Sequence, residues 1–232
     1  GGVVMTGTVS GEILVEAGTG GVLVQGSSGN RATAQIGNGS YNSNYSISGN
    51  VTVLAKGTDA GDGIVMQGGS NSSSAAMIGG GHYLVNNATI IGNTLVEVQN
   101  GGLSMTGGSG SYAHVTIGHG NRGDGSGGSD MSGTVDVTLL GGDLTLQGGS
   151  GSMTHAQIGH GGNAIDGDRS DAITVEVAGG VSLASGSGST AYAQIGHGGH
   201  DSDGTMTGDI SLTAGAGPVE IDAGGGGENA YA

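Results

Sequence analysis

The chain has no cysteine, no tryptophan and no phenylalanine, a single proline, and only four basic residues. Without cysteine there are neither disulfides nor thiolate metal sites, so stability must come from packing and hydrogen bonding alone. Aromatic residues make up 3% of the chain, which excludes an ordinary globular core of large interlocking side chains and leaves a narrow, aliphatic one. Arg31, Lys56, Arg122 and Arg169 stand against 19 acidic residues, for a formal charge of −15. A surface of that sign is repelled by phosphate backbones and anionic bilayers, which argues against nucleic acid as a partner. No apolar run reaches the roughly 18 residues a membrane helix needs, and no charged-then-apolar leader opens the sequence.

What is present in excess is glycine, 57 of 232 residues. Glycine does not recur at every third position, so collagen is excluded, and the single proline excludes a polyproline linker. Disorder is excluded by regular alternation of apolar and polar residues, as in Ile13-Leu14-Val15, Val135-x-Val137-x-Leu139 and Ile173-x-Val175-x-Val177.

The alternation belongs to a repeat. An I-G-x-G tetrapeptide starts at Ile36, Ile78, Ile117, Ile158 and Ile195, at successive spacings of 42, 39, 41 and 37 residues. Around it the order is constant: an alternating strand, Gly-Gly, a second alternating strand, a G-G-S-G-S turn, then A-x-I-G-H-G. The fourth copy, residues 132–162, reads SGTVDVTLLGGDLTLQGGSGSMTHAQIGHGG. Period-two parity puts Val135, Val137 and Leu139 on one face, opposite Thr134, Asp136 and Thr138; Leu144 and Leu146 continue the apolar face, and Ala156 shares parity with Ile158. Three short strands per unit, each with one apolar side and separated by glycine corners, predict an all-β parallel β-helix in which like strands of successive coils stack about 4.8 Å apart. A unit near 40 residues fits one coil with a long loop, six coils rising roughly 29 Å, or two coils of about 20 residues, eleven or twelve rising roughly 55 Å; one coil is preferred because the stretch after I-G-H-G varies in length. Residues 1–232 then form one array of about six imperfect repeats near 40 residues each. Ala230-Tyr231-Ala232 repeats Ala191-Tyr192-Ala193, so the expectation is a fragment of a longer rod, with any export signal upstream.

The consensus V-x-V-x-x-G-G-x-L-x-L-x-G-G-S-G-S-x-x-x-A-Q-I-G-H-G-G resembles the repeats of filamentous-haemagglutinin-like exoproteins, the large bacterial two-partner secretion adhesins, and biofilm matrix adhesins among them most of all. It covers nearly the whole chain, although IGNG and IGGG replace IGHG in the first two copies. The resemblance implies a right-handed parallel β-helix, export through an outer-membrane secretion partner, an extracellular or cell-surface location, and a role in cell–cell or cell–matrix adhesion with polysaccharide or cell-surface partners and self-association.

Three groups of residues are candidate sites. His119, His160 and His197 occupy equivalent places, with Asn38 and Gly80 in the first two copies. Parity with Ile158 points them inward or to a corner, where a polar ladder hydrogen-bonded from coil to coil is a simpler reading than a column of metal ligands. Asp166 and Asp168, then Asp201 and Asp203, form D-G-D and D-S-D-G sequences similar to parts of calcium loops, without the closing Glu of an EF-hand. Solvated loops are the plainer reading, calcium the one cofactor to consider. Arg122-Gly123-Asp124 is a receptor-type tripeptide in a Gly/Ser-rich loop, a match short enough to arise by chance.

Parallel β-helices also include polysaccharide lyases and hydrolases. The four basic residues are scattered among the repeats and no acid, base and cation converge, so a carbohydrate-active enzyme is the weaker alternative. An ice-binding face would need threonines in one register, and Thr116, Thr138 and Thr174 do not share one. The expectation is a structural adhesin, not an enzyme.

Overall fold

The computed structural model describes residues 8–39, 46–81, 87–122, 128–224 and 231–232. The chain is all-β, a parallel β-solenoid of about five turns. Its middle is built as the alternation requires. One six-stranded sheet stacks Ile13–Ala17, Val51–Ala55, Thr94–Val98, Val135–Leu139, Ile173–Val177 and Ile210–Ala214. A second six-stranded sheet stacks Val22–Gln25, Ile64–Gln67, Leu103–Thr106, Leu144–Gln147, Val181–Ala184 and Val219–Asp222. The segments preceding I-G-x-G, from Ala34–Ile36 to Ala193–Ile195, form a five-stranded sheet. Every pairing is parallel and joins one repeat to the next: Ile13 to Val51, Val51 to Thr94, Thr94 to Val135, and so on to Ile210. One repeat is therefore one coil, as expected.

The count of three strands per repeat is too low. A four-stranded sheet of three-residue strands, Thr8–Ser10, Ser46–Ser48, Thr89–Ile91 and Asp130–Ser132, precedes the long strand of each of those coils. A three-stranded sheet, Gly120–Arg122, Gly161–Asn163 and Gly198–His200, follows I-G-H-G. The reason is physical. A three-residue strand carries too little alternation to stand out unless a repeated motif marks it, as I-G-x-G marks Ala156–Ile158, and Gly161-Gly162 has no side chains with which to display it.

The main core lies between the two six-stranded sheets and the five-stranded one. Val135, Val137, Leu144, Leu146, Ala156 and Ile158 are all 0% exposed, and their counterparts above and below continue the same apolar columns. A smaller cluster of Ile47, Ala88, Ile90, Met131 and Ile165 lies behind the short-strand sheet. Non-polar stacking of this kind stabilises by roughly 25 cal/mol per Å² of buried apolar surface, and it repeats at every coil.

Glycine is required where coils touch. Gly159, the first glycine of the fourth I-G-x-G, has φ of 139°, and a Cβ there would stand 2.2 Å from the carbonyl oxygen of Gly196 in the next coil. Only a residue without a side chain fits both conditions. The turn before the motif is equally invariant in shape. Arg31, Ser73, Tyr112, Met153 and Thr190 occupy the same position in five coils, and all are left-handed, with φ between 54° and 60°.

Candidate functional site

The I-G-x-G motif sets its third residue into the corner between the main core and the smaller cluster. His119, His160 and His197 stack there, with ring centroids 4.7 and 5.1 Å apart. Nε2 of each ring meets a main-chain carbonyl: Gly92 at 2.6 Å from His119, Gly133 at 2.7 Å from His160, Asp171 at 2.9 Å from His197. A carbonyl only accepts, so Nε2 carries the proton. Nδ1 then accepts an N–H from the coil below: Gly80 to His119 at 3.0 Å, His119 to His160 at 3.0 Å, His160 to His197 at 3.3 Å. Both nitrogens of every ring are engaged, and no lone pair is left for a metal. Asn38 makes the corresponding bond in the first coil, from Nδ2 to the Gly11 carbonyl. Gly80 has no side chain, and its space is taken by Ile90 and Ile47. Burial pushes the His119 imidazole down to about 4, against the smaller upward pull of the Gly92 and Ser132 carbonyls. His160 is pushed well below its ordinary value, first by burial and then by His119.

A second column escaped the reading of the sequence. His114 stacks on His155 at 4.6 Å, His155 on Tyr192 at 4.8 Å, and Tyr192 on Tyr231 at 4.6 Å. It stands on the outward side of the five-stranded sheet; His114, His155 and Tyr192 are buried and Tyr231 is exposed, and the Tyr192 hydroxyl donates to the Gly162 carbonyl. Gln157 fills the same layer and donates to the carbonyls of Gly196 and Gly198. Burial pushes His155 down to about 3 and Tyr231 up to about 12. The signal was a constant offset of three residues before the isoleucine of I-G-x-G, masked by the change of residue type from Thr33 and Ala75 to histidine and tyrosine.

The acidic loops do not gather into a cation site. Asp168 Oδ1 accepts the N–H of Thr205, Asp130 Oδ1 that of Asp168, and Asp166 Oδ1 that of Asp203. The carboxylates are rungs between coils. Asp201 sits at a left-handed turn. Among the described residues no three His, Asp or Glu side chains converge as a metal cluster; Asp166 and Asp168 lie in one coil and Asp201 and Asp203 in the next, joined by the Asp203 N–H to Asp166.

Arg122 is not on a projecting loop. It ends the strand Gly120–Arg122, is half-buried, and its guanidinium lies 3.7 Å from the centre of the Tyr112 ring, a cation–π contact. Gly123 and Asp124 lie outside the described residues. Arg169 is the larger surprise, being 0% exposed. It bridges Met131 below and Met206 above, in the column that holds Ile47 and Ile90 in earlier coils. Its guanidinium donates to the carbonyls of Gly167, Asp203 and Ile165, while Nε has no partner.

On the outside, the end of each four-residue strand and the G-G-S turn form a furrow along the rod. Two adjoining stretches of it enclose about 610 and 520 Å³ and share Gly107 and Ser150. Gln25, Gln67, Thr106 and Gln147 form one wall, and exposed Ser28, Ser70, Ser109, Ser150 and Ser187 recur at one position per coil. Charged side chains are absent from both stretches among the residues described.

No family model, curated protein or solved structure matches the chain. Functional groups repeat along the axis at one per coil and are held by neighbouring coils; no acid, base and nucleophile meet among the described residues.

Proposed function

We propose that this chain is part of an extracellular structural adhesin, a rod of the filamentous-haemagglutinin-like, two-partner secretion type that joins cells to one another or to a biofilm matrix. The observation that carries the reading is the coil-by-coil repetition of the outer surface. An enzyme needs several groups converging on one reacting bond, whereas an adhesive rod needs the same weak contact many times over. The furrow supplies such a surface. It presents hydroxyls and amides without charge on a protein of formal charge −15, a chemistry suited to a neutral, extended polysaccharide. A right-handed winding, the hand that parallel crossovers adopt, an outer-membrane secretion partner and self-association belong to the same reading.

The test is retention of the purified chain on a panel of neutral and acidic bacterial exopolysaccharides, with release of reducing ends assayed in parallel. Retention on neutral chains without cleavage is the expected result. Release of new chain ends would instead establish a β-helical carbohydrate-active enzyme. Failure to bind any polysaccharide, together with failure to aggregate coated beads or cells, would overturn adhesion.

A further inference from the structure

We infer that the histidine columns make the third, fourth and fifth coils an acid-releasable segment of the rod, while the first two coils stay closed. The geometry carries this. Each Nδ1 of His119, His160 and His197 accepts a main-chain N–H that belongs to the neighbouring coil. A proton on Nδ1 puts a donor against that donor, so protonation and the intercoil bond exclude each other. Nε2 offers no escape, because it is already protonated and donating to a carbonyl.

The charge has nowhere to be compensated. The titratable groups facing the first column are the imidazoles themselves and the Arg169 guanidinium, a fixed cation whose field acts on His160. Asp171 presents its carbonyl to His197, while its carboxylate accepts the Gly133 N–H on the exposed side. The smaller cluster contributes only Ile47, Ile90, Met131 and their neighbours. Beside the second column, His155 meets His114, Thr116 and Tyr192, with Tyr231 beyond. Among the described residues no carboxylate is hydrogen-bonded to the rings of His119, His155, His160 or His197.

The distribution is uneven along the axis. Coil one has Asn38 and Thr33 at the two column positions and coil two has Gly80 and Ala75; none of these takes up a proton in the acid range. At those positions coils three to five hold five imidazoles, and beside them lies the buried Arg169. The folded-state proton affinities of His119, His155 and His160 lie below the unfolded value, so their contribution to stability is complete above about pH 6.5 and falls as pH drops toward 4. This device depends on the coil geometry alone and holds whatever the rod binds.

Amide hydrogen exchange of the intact chain at pH 7 and pH 4.5, corrected for intrinsic rates, tests it. Protection in coils three to five is expected to fall on the order of a hundredfold, the linkage factor for one imidazole held at about 4, with coils one and two changed less than about threefold. A uniform loss over all coils, or none, would overturn the proposal. Replacing the first column with His119→Asn, His160→Asn and His197→Asn is expected to shrink the loss of protection at pH 4.5, leaving the part that His155 contributes; a loss as large as that of the unaltered chain would overturn the first column's part in the device. If that variant does not fold, carbon-13 titration of the histidines in the unaltered chain decides. Imidazoles of His119, His155 and His160 still neutral at pH 5 support the device; titration near the ordinary value sinks it.

Discussion

Asn38 donates from Nδ2 to the carbonyl of Gly11 at 3.0 Å, and in doing so makes the bond that His160 makes from Nε2 to Gly133 three coils further on. Two different side chains thus answer one requirement in the first, third, fourth and fifth coils, a donor for the carbonyl at the corner between the short and the long strand. His160→Asn at pH 7 should therefore cost only about 1 kcal/mol, for lost stacking and the lost acceptor of the His119 N–H. His160→Leu abandons both partners in a buried place and should cost about 3 kcal/mol. Denaturant unfolding of the two variants ranks them; equal costs would refute the role assigned to Nε2.

Ile158 is 0% exposed between Ile117 below and Ile195 above. Ile158→Asp places an uncompensated carboxylate in the main core, and a loss of about 4 kcal/mol or more is expected. An unchanged melting temperature would be incompatible with the stacked core.

Two glycines separate conformation from composition. Gly159→Ala is expected to destabilise by about 3 kcal/mol, because the new methyl meets the Gly196 carbonyl and the left-handed backbone disfavours it. Gly61 faces open space and lacks that backbone conformation, so Gly61→Ala should be neutral or stabilise by about 0.5 kcal/mol through the unfolded chain. Paired melting curves check the contrast.

The carboxylates of Asp166 and Asp168 already accept main-chain N–H groups of the next coil. Melting in excess calcium and in excess chelator should give the same midpoint, since a cation that does not bind the folded state cannot stabilise it. A rise of several degrees with calcium would reinstate the loops as a cation site.

How much of this was readable from the residues depended on whether a side chain could report. The two six-stranded sheets announced themselves through Val135-x-Val137-x-Leu139 and Leu144-x-Leu146, because half-buried strands alternate. The strand Gly161–Asn163 could not, since glycine has no polarity to alternate. The His119 column was legible because its motif repeats, and its inward direction followed from parity with Ile158. The His155 column was hidden by substitution of its type from coil to coil. Arg169 misled for a different reason: a lone arginine in an acidic, glycine-rich stretch looks like surface, and only the three carbonyls around it account for its burial.

Constancy of path gives the molecule a further property. From the glutamine wall of the furrow to the isoleucine of the motif the chain has the same length in all five coils, Gln25 to Ile36 through Ala184 to Ile195. The extra residues of the second coil lie between its two long strands, where Asp62 turns them back on Gly20. Differences in repeat length thus collect at corners and leave the stacked segments in step. Cutting two coils within that invariant segment and rejoining them would preserve every register on either side. Such a rod can grow or shrink by whole coils in its gene without its fold having to be found again.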